Sequence, residues 1–88
     1  MITNRNKVYA AISAERDYQD SLRDVGKFSE EVLSLPGELT CIQVYLDKAM
    51  ASYADNSGEA PEETMRIVCK IAAMCVRAME HHGAPPRI

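Results

Sequence analysis

Residues 60–83 read APEETMRIVCKIAAMCVRAMEHHG, and they carry a start signal, an apolar run and a stop signal for one long helix. Pro61 suits the first helical turn, where its missing N–H costs nothing, and Glu62 and Glu63 face the positive end of the helix dipole. Gly83 can take the left-handed conformation that ends a helix, and Pro85-Pro86 forbids resumption. Between these ends Val68, Ile71, Ala72, Cys75 and Met79 recur at helical spacing. Ile67, Met74 and Ala78 widen the stripe, and so broad a face needs more than one neighbour to cover it. The fold class follows: all-α.

Working outward, Asp55-Asn56-Ser57-Gly58 is a loop by composition, short enough to join two antiparallel helices. Before it the pattern is helical from Leu39 through Leu46, Met50 and Tyr53, with Cys41, Ile42 and Ala49 beside them. Val44 and Tyr45 lie off that stripe. Pro36-Gly37 either kinks this helix or separates it from a short extra helix near residues 29–35. In the second case Ser34 caps the longer segment and Glu38 sits in its first turn. Ser29 is a candidate cap for the short helix, with Phe28 and Leu33 as a hydrophobic staple.

Upstream, Thr3 or Asn4 can cap a first helix running to about Leu22. Its apolar stripe starts at Val8, Ala11 and Ile12, then turns polar through Glu15, Tyr18 and Gln19. Such a stripe leaves the core, pairs its charges internally, or lines a pocket. Arg16 and Asp20, at i and i+4, supply the pairing. No period-2 run of β-branched residues occurs, so no sheet is expected. The architecture expected is one domain over residues 1–88, with three main helices plus the short one.

Composition bounds that domain. The 88 residues are 47% hydrophobic but only 6% aromatic, with one Phe and no Trp. Small and aliphatic side chains must supply the burial, at about 25 cal/mol per Å². So thin a core is often completed between subunits, and a homo-oligomer is expected. A net charge of −3, with both signs mixed along the chain, offers no basic stripe for duplex nucleic acid. No apolar run could span a bilayer, and the opening MITNRNK lacks the centre of a signal peptide. Three cysteines in apolar helical contexts argue against a disulfide framework. A soluble, cytoplasmic protein is expected.

The search for chemistry is mostly negative. His81 and His82 are adjacent, so they point about 100° apart and do not readily chelate one ion. Cationic side chains there suit the C-terminal end of the helix dipole. No Ser–His–Asp or Cys–His arrangement is recognisable, and no cofactor is implied. What remains is a set of cationic and aromatic groups on helix surfaces: Tyr9, Arg16, Tyr18, Lys48, Arg66, Lys70 and Arg77. Tyr can stack on a base and Arg can grip a phosphate.

The runs AISAERDYQD (11–20), VYLDKA (44–49) and KIAAMCVRAMEHHGAPPR (70–87) resemble a family of small all-helical proteins of tailed bacteriophages. Where that family often has a Lys/Arg-aromatic stretch, this chain has SLRDVGKFSEEVL (21–33). The resemblance implies provenance and no activity that transfers residue by residue. A more distant likeness is to the MazG-like nucleotide pyrophosphohydrolases, which converge carboxylates from two helices on Mg²⁺. Here Glu30-Glu31 is followed one turn on by Leu33, Ser34 and Leu35, and Asp47 stands alone beside Lys48.

Three functions are therefore expected in order. The first is non-catalytic binding of a small nucleotide-like ligand, in the manner of phage proteins that sequester host immune signals. Its candidate residues are Tyr9, Arg16, Tyr18, Gln19, Lys48 and Arg77, with Arg16, Tyr18 and Arg77 lining a shared pocket between subunits. The second is inhibition of a host protein through a helical face. The third is a MazG-like enzyme or its inactive relic.

Overall fold

The computed structural model describes residues 3–24, 34–56 and 61–87. They form three helices and no strand: α1 (Arg5–Asp24), α2 (Leu35–Asp55) and α3 (Pro61–His82). Both α1 and α2 pack on α3, so α3 is the shared neighbour of the other two. The largest extent of the molecule is 37 Å, little more than the roughly 33 Å that 22 residues span as a helix.

Each helix has a local reason to begin or end where it does. Asn4 opens α1, its Oδ1 accepting from the Asn6 N–H at 2.8 Å and its carbonyl from Val8 at 3.2 Å. The helix runs two residues past the expected end at Leu22. Ser34 caps α2, accepting from the Gly37 N–H at 3.2 Å, and Pro36 lies in the first turn. Of the two readings left open at Pro36, a helix start prevails. The expected short helix falls mostly on residues 25–33, outside the described residues. Gly83 adopts φ 103° and donates to the Met79 carbonyl at 2.8 Å, closing α3.

The α2–α3 hairpin is antiparallel, as the short loop implies. Near the turn the Ser52 and Thr64 hydroxyls lie 3.2 Å apart, and at the far end Glu38 meets Arg77.

Which faces are buried differs from the expected pattern. On α2 the expected stripe of Leu39, Leu46, Met50 and Tyr53 is exposed. The face turned to α3 holds Glu38, Ile42, Tyr45, Ala49 and Ser52, at steps of four and three residues. Ala49 and Ala73 are small enough to let the helices approach, at 4% and 0% exposure. On α1 the order is inverted: Val8 is 42% exposed, whereas Arg16 and Gln19 in the polar half are buried. Among the described residues Ala49, Ala73 and Met74 are the buried apolar side chains, against Arg16, Gln19, Glu38 and Arg77 among the polar ones. Polar bonds thus hold much of this packing together.

Candidate functional site

Four of the six expected ligand residues go to different places. Arg16 is buried between α1 and α3, with Nη1 donating to Asp20 Oδ1 at 2.7 Å and Nε to Glu80 Oε1 at 2.8 Å. Burial works against its charge, but the bonds to Asp20 and Glu80 outweigh it and raise the guanidinium pKa. Arg77 is buried on α3 and donates from Nε to Glu38 Oε1 at 3.2 Å. Lys48 sits on the exposed side of α2 with its ammonium 4.5 Å from the centre of its neighbour's ring, Tyr45. Tyr9 is exposed on α1, away from the cavities described below.

Tyr18 and Gln19 are brought together. Both line a half-open pocket of about 90 Å³ at the meeting of the three helices, where Tyr45 and Met74 also contribute to the wall. Gln19 donates from Nε2 to the Lys70 carbonyl at 3.3 Å. Its Oε1 is buried and has no hydrogen-bond partner among the described residues.

Outside that cavity runs an open groove of about 340 Å³ between α1 and α3, lined by Glu15, Tyr18, Arg66, Cys69 and Lys70. Cavity and groove share Glu15, Tyr18 and Lys70, so they are two sides of one wall. Arg66 and Lys70 are at i and i+4, which sets both cations on one side of α3. Among the described residues Arg66 reaches only Glu62, at 4.0 Å, and both side chains stand in solvent. An exposed pair at that distance binds weakly and leaves the guanidinium accessible. In the groove floor the Cys69 thiol is pushed up in pKa, first by burial and then by Glu15. It is accordingly a poor nucleophile at neutral pH.

A second polar cluster lies where α2 begins and α3 ends. Glu38 has no solvent exposure, and three side chains of α3 converge on it. Besides Arg77, His81 presents Nδ1 at 3.1 Å from Oε1, and His82 presents Nε2 at 3.3 Å from Oε2. The adjacent histidines both reach one carboxylate because they use different ring nitrogens, with ring planes 84° apart. For the His81 bond the ring proton must sit on Nδ1 when Glu38 is ionised. Among the described residues no group of three or more His, Cys, Asp or Glu is arranged to hold a metal ion.

Sequence reading named Arg66 and Lys70 only as surface cations. Their four-residue spacing on the same helix was the available signal, and it needed Tyr18 across the groove to become a site. The Glu38 cluster was not anticipated, since nothing in a first-turn glutamate announces complete burial.

Compared with known proteins, the chain matches no family model, no curated sequence and no solved structure.

Proposed function

We propose that this protein is a non-catalytic binder of a small nucleotide-like anion, held in the groove between α1 and α3. The observation that carries this reading is the grouping of an exposed aromatic ring, Tyr18, with two cations, Arg66 and Lys70, along one open groove. The ring offers a stacking face and the cations offer charge-assisted bonds to phosphate. Glu15 on the same wall leaves a modest positive balance, suited to a small phosphorylated ligand and too small for a nucleic-acid duplex. In this reading Arg16 and Arg77 serve the ligand indirectly, by fixing α1 and α2 on α3. Sequestration of a signalling nucleotide by a phage-encoded protein, to counter host defence from within the host cytoplasm, is the biological role we attach to it.

The exposed face of α2 supports a companion reading. Leu39, Leu46, Met50 and Tyr53 form an apolar row that nothing among the described residues covers. We assign it to a second copy of this chain, which would complete the thin core; a host protein inhibited through that face is the alternative occupant.

Calorimetric titration with a panel of cyclic dinucleotides and linear nucleoside phosphates tests the main reading. Saturable binding without turnover supports it. A panel that yields neither heat nor a thermal shift overturns it. Turnover with Mg²⁺ present would favour the enzymatic alternative.

A further inference from the structure

The exposed row on α2 is one side of a larger apolar face. At 3.6 residues per turn, Leu39, Leu46, Met50 and Tyr53 fall within roughly 60° of the α2 circumference. On α3, Thr64, Val68, Cys75 and Met79 likewise fall within roughly 60°. Val68 and Met79 are 38% and 46% exposed, so this second row looks outward too. The two rows open on the same side of the hairpin, because Ala49, Met50 and Tyr53 share a groove of about 300 Å³ with Thr64. One turn along α3, Val68 and Met65 line a second groove, of about 260 Å³, with Val8, Ala11 and Ile12 of α1. All three helices therefore contribute to the face.

Its chemistry says what covers it. No charged residue stands in either row, so a nucleic acid or a charged protein surface finds no counter-charge there. At roughly 100 Å² for each half-exposed apolar side chain, the two rows with Val8 and Met65 offer on the order of 800 Å², about what each partner gives to a standard interface. Rows spaced at three, four and seven residues are also the seams along which nearly aligned helices interlock. Two such seams side by side fit another antiparallel hairpin, and this chain is itself one.

We infer that two copies of the chain pair face to face through their α2–α3 hairpins, forming a four-helix bundle with α1 on the flank of each half. This rests on the assignment of the α2 row to a second copy and extends it to α3 and α1. A two-fold axis lets the same rows serve both partners. Val68 and Met79 become core residues of the dimer, completing a core that has Ala49, Ala73 and Met74 as its buried apolar side chains among the described residues. Arg66 and Lys70 each stand roughly 160° round α3 from Val68, so the groove beside Tyr18 stays open in both halves.

Sedimentation velocity of the full chain over a concentration series tests the bundle. The parent should be a dimer, and Val68→Glu and Met79→Glu should each raise its dissociation constant roughly a hundredfold or more, since each would bury an unpaired carboxylate. Val44→Glu is the control: Val44 is as exposed as Met79 but lies about 140° from Leu39 on α2, and its substitution should leave the dimer unchanged. Circular dichroism melting checks that each variant stays helical, and two positions on α3 keep the test decisive if one of them unfolds. A parent that remains monomeric at high concentration would overturn both the bundle and the second-copy assignment of the α2 row. A dimer lost in Met50→Glu but kept in Val68→Glu and Met79→Glu would overturn the bundle and leave that assignment standing. Disruption by Val44→Glu as strong as by the α3 variants would place the interface elsewhere and overturn the inference.

Discussion

Glu38 and Arg77 form a charge pair with almost no access to water: their side chains are 0% and 3% exposed, and Nε lies 3.2 Å from Oε1. The carboxylate stands in the first turn of α2, where it also complements the helix dipole, and the guanidinium lies in the C-terminal half of α3. Such a pair contributes modestly compared with apolar residues of the same shape, yet removal of one member takes a buried bond from the other.

Glu38→Ala should accordingly cost about 3–5 kcal/mol, measured by urea denaturation, because the buried Arg77 guanidinium, His81 and His82 all lose the carboxylate on which they converge. The double variant Glu38→Met with Arg77→Met should recover most of that loss. Equal stability of the parent and Glu38→Ala would show that the carboxylate is not the anchor of this end of the hairpin.

The helix ends and the hairpin were legible because they depend on local chemistry: Pro36, Pro61 and Gly83 act through their own backbone and Ser34 through its hydroxyl. The buried faces were less legible. Leu46, Met50 and Tyr53 outweigh Tyr45, Ala49 and Ser52 on any hydrophobicity scale, but close approach of α3 selects for small size at Ala49. Similarly, Arg16 reads as a surface charge until Glu80, 64 positions later, supplies its partner. Tyr18 was readable as an aromatic group in a polar run; its relation to Arg66 and Lys70 is tertiary and leaves no trace in local spacing.

Ala73 has no exposure at the middle of α3, the helix against which both others rest. Ala73→Leu should therefore overpack the junction and cost roughly 1–3 kcal/mol, even though leucine is a good helix former. A variant as stable as the parent would mean that the helices separate there without penalty.

The apolar row on α2 has a direct physical check. Met50 and Tyr53 are 65% and 58% exposed in the single chain, so Met50→Glu removes little from its own core. If a second copy covers this face, light scattering at micromolar concentration should show at least a dimer for the parent and a monomer for Met50→Glu. A parent protein that is monomeric throughout would leave the face to another partner.

Cys69 offers a pH signature. Its thiol is raised in pKa by burial and by the nearby Glu15 carboxylate, so the folded state favours the protonated form. Iodoacetamide labelling of Cys69 should be slow at neutral pH and accelerate only above the usual thiol range, whereas the unfolded chain labels earlier. By linkage, the folded state holds the extra proton. This group's contribution to stability is therefore complete below the unfolded thiol pKa and fades as pH climbs through the folded one. Mass spectrometry of labelled peptides across a pH series reads this out; reactivity like that of a free thiol would contradict the burial.

Arg16 and Arg66 provide the sharpest contrast, because both read as surface cations in the sequence and the structure gives them opposite surroundings. Arg16 is buried and bonded to two carboxylates, Asp20 and Glu80, which are themselves about half exposed. Solvent around those partners screens the attraction, so Arg16→Ala should cost a moderate 1–2 kcal/mol, roughly, with part of the loss from packing of the side-chain stem. Arg66 is 76% exposed and among the described residues is held only by a 4.0 Å contact to Glu62, so Arg66→Ala should leave the melting temperature nearly unchanged. Ligand affinity should show the reverse order. Arg66→Ala removes a charge-assisted bond to phosphate and should weaken binding of cyclic di-AMP by tenfold or more, roughly, with a shallower dependence of affinity on salt. Arg16→Ala should weaken it only as far as α1 loosens on α3, an effect that low temperature reduces. Melting temperature and affinity measured on the same two variants decide the matter. Should Arg16→Ala abolish binding at full stability while Arg66→Ala binds normally, the phosphate site lies at the buried guanidinium and the groove assignment fails.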